Sequence, residues 1–235
     1  SSVGQWSLVS RWISPNLKSS DYFNTCALTG TNYSANVPSN IWGWQQPHQG
    51  TSYMGIISFH KNVPETREYI QTEMTTTLTQ GIRYAVSFYA CAANRYQYGI
   101  STLGAALTAE PPAVISVDGP NGMLDAEPQV LLHARIPIID TAKWVMISDT
   151  IIANGGERYL SIGNFHLDGE SDTVRFNPNQ PPIYGTPTTY AYYYIDDVWL
   201  SHIDSMGYVS VNEELEIKND ELRVYPNPAT DVLNI

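Results

Sequence analysis

A period of two is the pattern that most constrains this chain. Four segments alternate apolar and polar residues: Gly81 to Ala90, Lys143 to Ser148, Arg158 to Phe165 and Tyr190 to Ile203. Successive side chains of an extended chain point to opposite faces, so each segment carries one apolar and one polar face, as a half-buried strand does. Helical periodicity is scarce. Its best candidate, Glu65 to Leu78, holds Thr72, Thr75, Thr76 and Thr77, β-branched residues that lose rotamer freedom in a helix. That stretch reads as a turn around Glu65-Thr66-Arg67-Glu68 followed by a strand. Asp118-Gly119, Asn121-Gly122, Asn154-Gly155-Gly156 and Asp168-Gly169 supply positions that tolerate positive φ. Glu110-Pro111-Pro112 and Asn177 to Pro182 cannot sit in a central strand and mark loops. Short strands and frequent turns in 235 residues predict an all-β fold, a jelly-roll β-sandwich of two antiparallel sheets.

Hydrophobic residues make up 43% of the chain, enough for a core, while charged residues reach only 15%. The net charge of -11 argues against a nucleic-acid partner, which needs a basic face to displace counterions, and against an anionic membrane surface. No apolar run is long enough to span a bilayer. The chain opens at Ser1-Ser2-Val3-Gly4 with no visible signal peptide, so a leader has been removed or the sequence starts inside a longer protein. Cys26 and Cys91 permit one disulfide or stand as two free thiols.

After Ile203 the composition shifts. Val211 to Glu221 is acidic, polar and without an aromatic residue, and residues 204–222 read as a linker. Beyond it come Val224-Tyr225, Pro226-Asn227-Pro228, Ala229, Thr230-Asp231 and Val232-Leu233-Asn234-Ile235. The two prolines fix φ and withhold ladder donors, so the chain turns before a strand begins at Val232. This tail resembles the opening of the type A C-terminal sorting domain of Bacteroidota proteins exported by the type IX secretion system. The resemblance implies a cargo of that machinery, secreted or held at the outer cell surface, with residues 223–235 as a truncated sorting segment.

Residues 1–203 resemble the carbohydrate-binding-module-like jelly roll at the front of many Bacteroidota surface proteins. The resemblance is carried by Asp21 to Cys26, Val37-Pro38-Ser39-Asn40, Gly50 to Ile56, Arg67-Glu68-Tyr69-Ile70, Gly155 to Phe165 and Tyr194-Ile195-Asp196-Asp197-Val198. Such domains begin with a strand ending in an Asn-Pro-Ser-Phe-Glu-like motif and a cysteine. Nothing like it precedes Ser1, so the usual partner of Cys26 and one metal ligand are missing, as in a fragment of a longer protein.

Asp196-Asp197 interrupts an apolar strand, and alternation turns one of the two inward, where a carboxylate needs a partner. The resemblance implies a structural calcium ion (Ca2+) held by Asp196 and Asp197, and hard oxygen ligands suit calcium. Capping an edge or pairing with arginine is the other reading.

For a ligand, Trp42-Gly43-Trp44 with Gln45, Gln46 and His48 is the most suggestive segment, because flat rings stack on sugar faces while amides take hydroxyls. Trp42 and Trp44 are two apart, as are Tyr96 and Tyr98, and on strands each pair shares a face. Either pair could fill the core instead. Trp144, Phe165, Trp199 and the tyrosines from Tyr190 to Tyr194 read as core packing. No Gly-x-Ser-x-Gly elbow, His-Glu-x-x-His or Gln-Ile-His step is present, and the five histidines are scattered. Glu157, Glu68 and Glu73 are the nearest candidates for glycosidase-like carboxylates, with a turn-stabilising role favoured for Glu157. Asp140-Thr141-Ala142, Asp149-Thr150-Ile151 and Asp172-Thr173-Val174 resemble O-glycosylation sites of this bacterial group.

These features predict a non-catalytic module that binds a glycan or surface polymer. A structural or adhesive module with a protein partner, or a glycan-degrading enzyme with an unrecognised site, are the alternatives.

Overall fold

A computed structural model describes residues 11–16, 18–27, 34–115, 122–132, 136–183, 185 and 188–203. The linker (204–222) and the sorting segment with Pro226, Asn227 and Pro228 lie outside the described residues. The first strands are β1 (Trp12–Ile13), β2 (Asp21–Asn24), β3 (Ser39–Asn40), β4 (Gly43–Trp44), β5 (Ser52–His60) and β6 (Ile70–Glu73). Then come β7 (Arg83–Ala92), β8 (Tyr98–Ile100), β9 (Leu103–Thr108), β10 (Val114–Ile115), β11 (Met123–Leu124) and β12 (Val130–Leu131). The last are β13 (Val145–Ile152), β14 (Tyr159–Asn164), β15 (Thr173–Arg175) and β16 (Tyr190–His202), with one 3-10 turn at Asp168–Glu170.

Two five-stranded antiparallel sheets form a jelly-roll-like sandwich. The front sheet runs β13-β7-β16-β5-β2 and the back sheet β1-β6-β14-β9-β12. All four alternating segments of the sequence became long strands of these sheets, and the threonine-rich stretch became a turn followed by β6. The inward faces meet in the main core. Val86, Phe88 and Ala90 of β7, Ile147 of β13 and Tyr193 and Ile195 of β16 pack against Ile70, Leu103, Leu160 and Ile162 of the back sheet. Tyr193 sits there without penalty, since its hydroxyl accepts the Ile100 N–H at 2.8 Å and donates to the Ile138 carbonyl at 2.9 Å.

A second cluster lies on the outer side of the front sheet. Tyr192 and Tyr194 face out from β16 and are covered by Phe23, Ala35, Val37, Ile41, Tyr53 and Tyr96. The segment between β2 and β5 therefore roofs one half of the outer face. Among the described residues, none roofs the other half, towards the C-terminal end of β16.

One irregularity decides what the open half displays. Asp196 pairs with Tyr89 of β7, and Trp199 pairs with Ser87. Three residues advance on β16 for two on β7. Asp197 takes up the extra residue as a bulge, with φ of 48°. Aspartate is among the few non-glycine residues that enter this left-handed region. Side-chain phase therefore inverts after the bulge: Val198 and Leu200 enter the core and Trp199 faces solvent.

At one end of the sandwich, two loops are locked together. Glu65 and Asp168 exchange bonds, each backbone N–H donating to the other's carboxylate at 3.1 Å. The fully buried Arg67 guanidinium donates to Asp168 at 2.6 Å and Glu65 at 3.3 Å beneath them.

Candidate functional site

The residues expected to bind ligand do not gather in one place. Trp42 lies in the turn before β4, not on a strand, so spacing of two from Trp44 does not put them on one face. Its ring packs on Tyr96 at 5.6 Å and Tyr192 at 5.8 Å, and its Nε1–H donates to Asp21 Oδ2 at 2.6 Å. Tyr96 is buried and stacks on Tyr192, and Tyr98 packs against Phe59 on the main core. Trp42 and Tyr96 thus pack in the roof over β16 and Tyr98 at the edge of the main core, Trp42 and Tyr98 half-buried. Trp44 and Gln46 do face solvent.

Residues 45–49 cross the outer face of the front sheet as a strap with four anchors. Gln45 Nε2 donates to Cys91 Sγ at 2.7 Å, and Trp144 Nε1 donates to the Gln46 carbonyl at 3.0 Å. The N–H groups of His48 and Gln49 donate to Asp196 Oδ2 at 2.7 and 3.2 Å. The exposed His48 ring lies flat on Tyr89, with centroids 3.6 Å apart and planes at 19°. Its Nδ1 is 3.1 Å from Asp197 Oδ2.

Beyond the strap, the ladders lay the open face out in rows. Met146, Tyr89 and Asp196 form the first, Ser148, Ser87 and Trp199 the second, and Thr150, Ala85 and Ser201 the third. Rows two residues apart along a strand are separated by about 7 Å. Tyr89 and Trp199 are diagonal neighbours on adjacent strands, about 7–8 Å apart at the backbone and within reach of one another's rings. Trp199 is 46% exposed and Met146 53%. The result is a floor of hydroxyls and methyls bordered by Trp199, Met146 and the stacked Tyr89–His48 pair. This places Trp199 opposite to expectation. The signal that could have found it is the Asp-Asp step inside an apolar strand, which marks a bulge and hence a change of phase.

Asp196 is fully buried, and burial pushes its carboxyl up to about 8, against the lowering effect of N–H bonds from Gln49, Asp197 and His48. Its Oδ1 accepts the Asp197 N–H at 2.6 Å. Both oxygens thus already serve backbone donors. Calcium takes six to eight oxygens, and among the described residues no group of three or more His, Cys, Asp or Glu is placed to hold a metal.

The candidate carboxylates are each engaged. Glu157 accepts the N–H of Asn154 at 2.6 Å and of Gly155 at 2.8 Å, stabilising the turn. Glu73 pairs with Arg158. Glu68 is buried and accepts the Ile57 N–H at 2.8 Å. Desolvation, then the nearby Asp21 charge, raises its pKa well above the ordinary range. Cys26 is exposed and Cys91 buried, and they are separate thiols. Cys91 lies under the strap and its proton is held by burial, with the pKa pushed up to about 12. Thr150 and Thr173 of the glycosylation-like triplets are exposed.

No protein-family profile matches the chain, and no curated protein does. Solved structures resemble it at low similarity. A xylan-binding domain of Paenibacillus barcinonensis Xyn10C is 15% identical, covering 83% of this chain and 93% of that one, with a TM-score of 0.40. The N-terminal xylan-module and catalytic pair of Clostridium thermocellum xylanase 10B is 13% identical, covering 85% and 27%, with a TM-score of 0.41. The K1 cleaved adhesin domain of Lys-gingipain from Porphyromonas gingivalis W83 is 13% identical, covering 80% and 89%, with a TM-score of 0.35. At TM-scores below 0.5 these likenesses assign no function.

Proposed function

We propose that this protein is a non-catalytic glycan-binding module whose platform is the open half of the front sheet. The observation that carries the reading is Trp199, turned to solvent by the Asp197 bulge beside a hydroxyl-bearing floor and the stacked Tyr89–His48 pair. Aromatic faces take the C–H faces of sugars, and Ser87, Ser148 and Ser201 supply donors and acceptors for hydroxyls. Trp44 and Gln46 stand at the strap and join the rim. The engagement of Glu68, Glu73 and Glu157 in structural contacts supports binding without catalysis. The Pro226-Asn227-Pro228 tail supports export by the type IX secretion machinery to the cell exterior or surface. Among the described residues no helix is long and apolar enough to cross a membrane, which leaves β-barrels unaddressed.

The test is retention on insoluble xylan, cellulose and chitin, with a glycan array beside it. Trp199→Ala reduces binding roughly tenfold, the ~1.4 kcal/mol an aromatic contact supplies, without moving Tm. Trp42→Ala lowers Tm instead. Retention unchanged in Trp199→Ala removes the platform. Absence of any glycan binding, with capture of a protein ligand on the same face, favours the adhesive alternative.

A further inference from the structure

We infer that Asp196 is the positioning residue of this platform, acting through its buried carboxylate on residues that face the ligand. The inference deepens the glycan-binding reading and rests on it. Two separate pieces of chain make the platform. The strap brings His48 onto Tyr89, and the bulge in β16 turns Trp199 outward. Asp196 is bonded to both. Its Oδ2 holds the strap through the His48 and Gln49 N–H groups, and its Oδ1 holds the bulge through the Asp197 N–H. Asp197, fixed in this way, lies against His48 Nδ1.

The arrangement is specific to this position. Asp196 opposes Tyr89 in the ladder, so its side chain leaves the sheet on the face where the strap crosses. The two carboxyl oxygens accept three N–H bonds at once, and a hydrophobic residue here would leave those three part-buried donors without this partner. The group touches no ligand and sets where the ligand-facing rings stand.

Hydrogen exchange followed by NMR tests the inference together with glycan retention. In Asp196→Ala the amides of His48 and Gln49 exchange at least tenfold faster, those of β6 and β14 in the back sheet keep their wild-type rates, and glycan affinity falls at least tenfold. Asp196→Asn, which keeps an acceptor oxygen for the strap amides but meets the Asp197 N–H with an amide donor, restores the exchange rates of His48 and Gln49 and only part of the affinity. A side chain that merely fills space would show no such rescue. Wild-type exchange at His48 and Gln49 in Asp196→Ala, or equal acceleration across both sheets, overturns the inference. If the wild-type protein binds no glycan, the functional reading falls, and the exchange rates still decide whether Asp196 holds the strap.

Discussion

Trp199 stands opposite Ser87 in the β16–β7 ladder, one residue out of phase with the strand that leads up to it. With the alternation of Ala191, Tyr193 and Ile195 continued unbroken, an inward side chain falls at residue 199. The slip at Asp197 places Val198 inward instead. The most exposed aromatic side chain of β16 therefore owes its position to one backbone conformation.

Substitutions at Asp197 probe that conformation. A β-branched residue at φ of 48° is strained, so Asp197→Val lowers stability by about 1–2 kcal/mol. Asp197→Gly relaxes the backbone while giving up its side-chain contacts, the one with His48 among them, so it is expected to be more stable than Asp197→Val. Urea unfolding distinguishes the two. Equal stability of the Val and Gly variants would contradict the bulge.

Glu68 sets a pH dependence. Burial first, and then the Asp21 charge, raises its pKa in the folded state, so the protonated form is the one the fold prefers. A raised carboxyl contributes stability that is fully present below its unfolded value, near 4, and is lost as pH rises through the folded value. Tm is expected to fall as pH rises above about 5, and Glu68→Gln, which cannot ionise and keeps an acceptor for Ile57 N–H, to flatten that slope. Tm rising with pH in the wild type and not in Glu68→Gln would reverse the sign and refute the account.

Thiol chemistry separates the cysteines. Cys26 reacts promptly with a thiol reagent in the native protein, whereas Cys91 is both buried and held protonated and reacts only on unfolding. One equivalent native and two equivalents in denaturant are expected, without added reductant. No free thiol in denaturant would mean that the two are bonded.

The calcium expectation has a direct measurement. Three N–H groups occupy most of the acceptor capacity of Asp196, so a chelator is expected to leave Tm unchanged, and elemental analysis to find no stoichiometric calcium. A drop of several degrees on chelation, restored by calcium, would show Asp196 and Asp197 acting as ligands.

Much of the fold was legible in the sequence because alternation is a property of long strands: β7 and β13 show it in their burial, while β14 and the first half of β16 are covered on both faces. The platform was not, because a single bulged residue reverses alternation without changing composition. Trp42 misled for the opposite reason. Spacing of two has meaning only inside a strand, and Trp42 lies in a turn that folds its ring under the roof. Tyr96 lies before β8 and joins the outer cluster, whereas Tyr98 on β8 packs at the edge of the main core, so their spacing of two does not put them on one face.

The lock between Glu65 and Asp168 bears on the rate at which this molecule comes apart. The two residues are 103 positions apart in the chain, so closing the loop between them is entropically costly, and a lock of this kind made after the folding barrier holds the native state without hastening its arrival. Weakening the lock with Asp168→Asn is expected to steepen the loss of native protein in stopped-flow unfolding and to leave the refolding rate as it was. That asymmetry converts three side chains into lifetime.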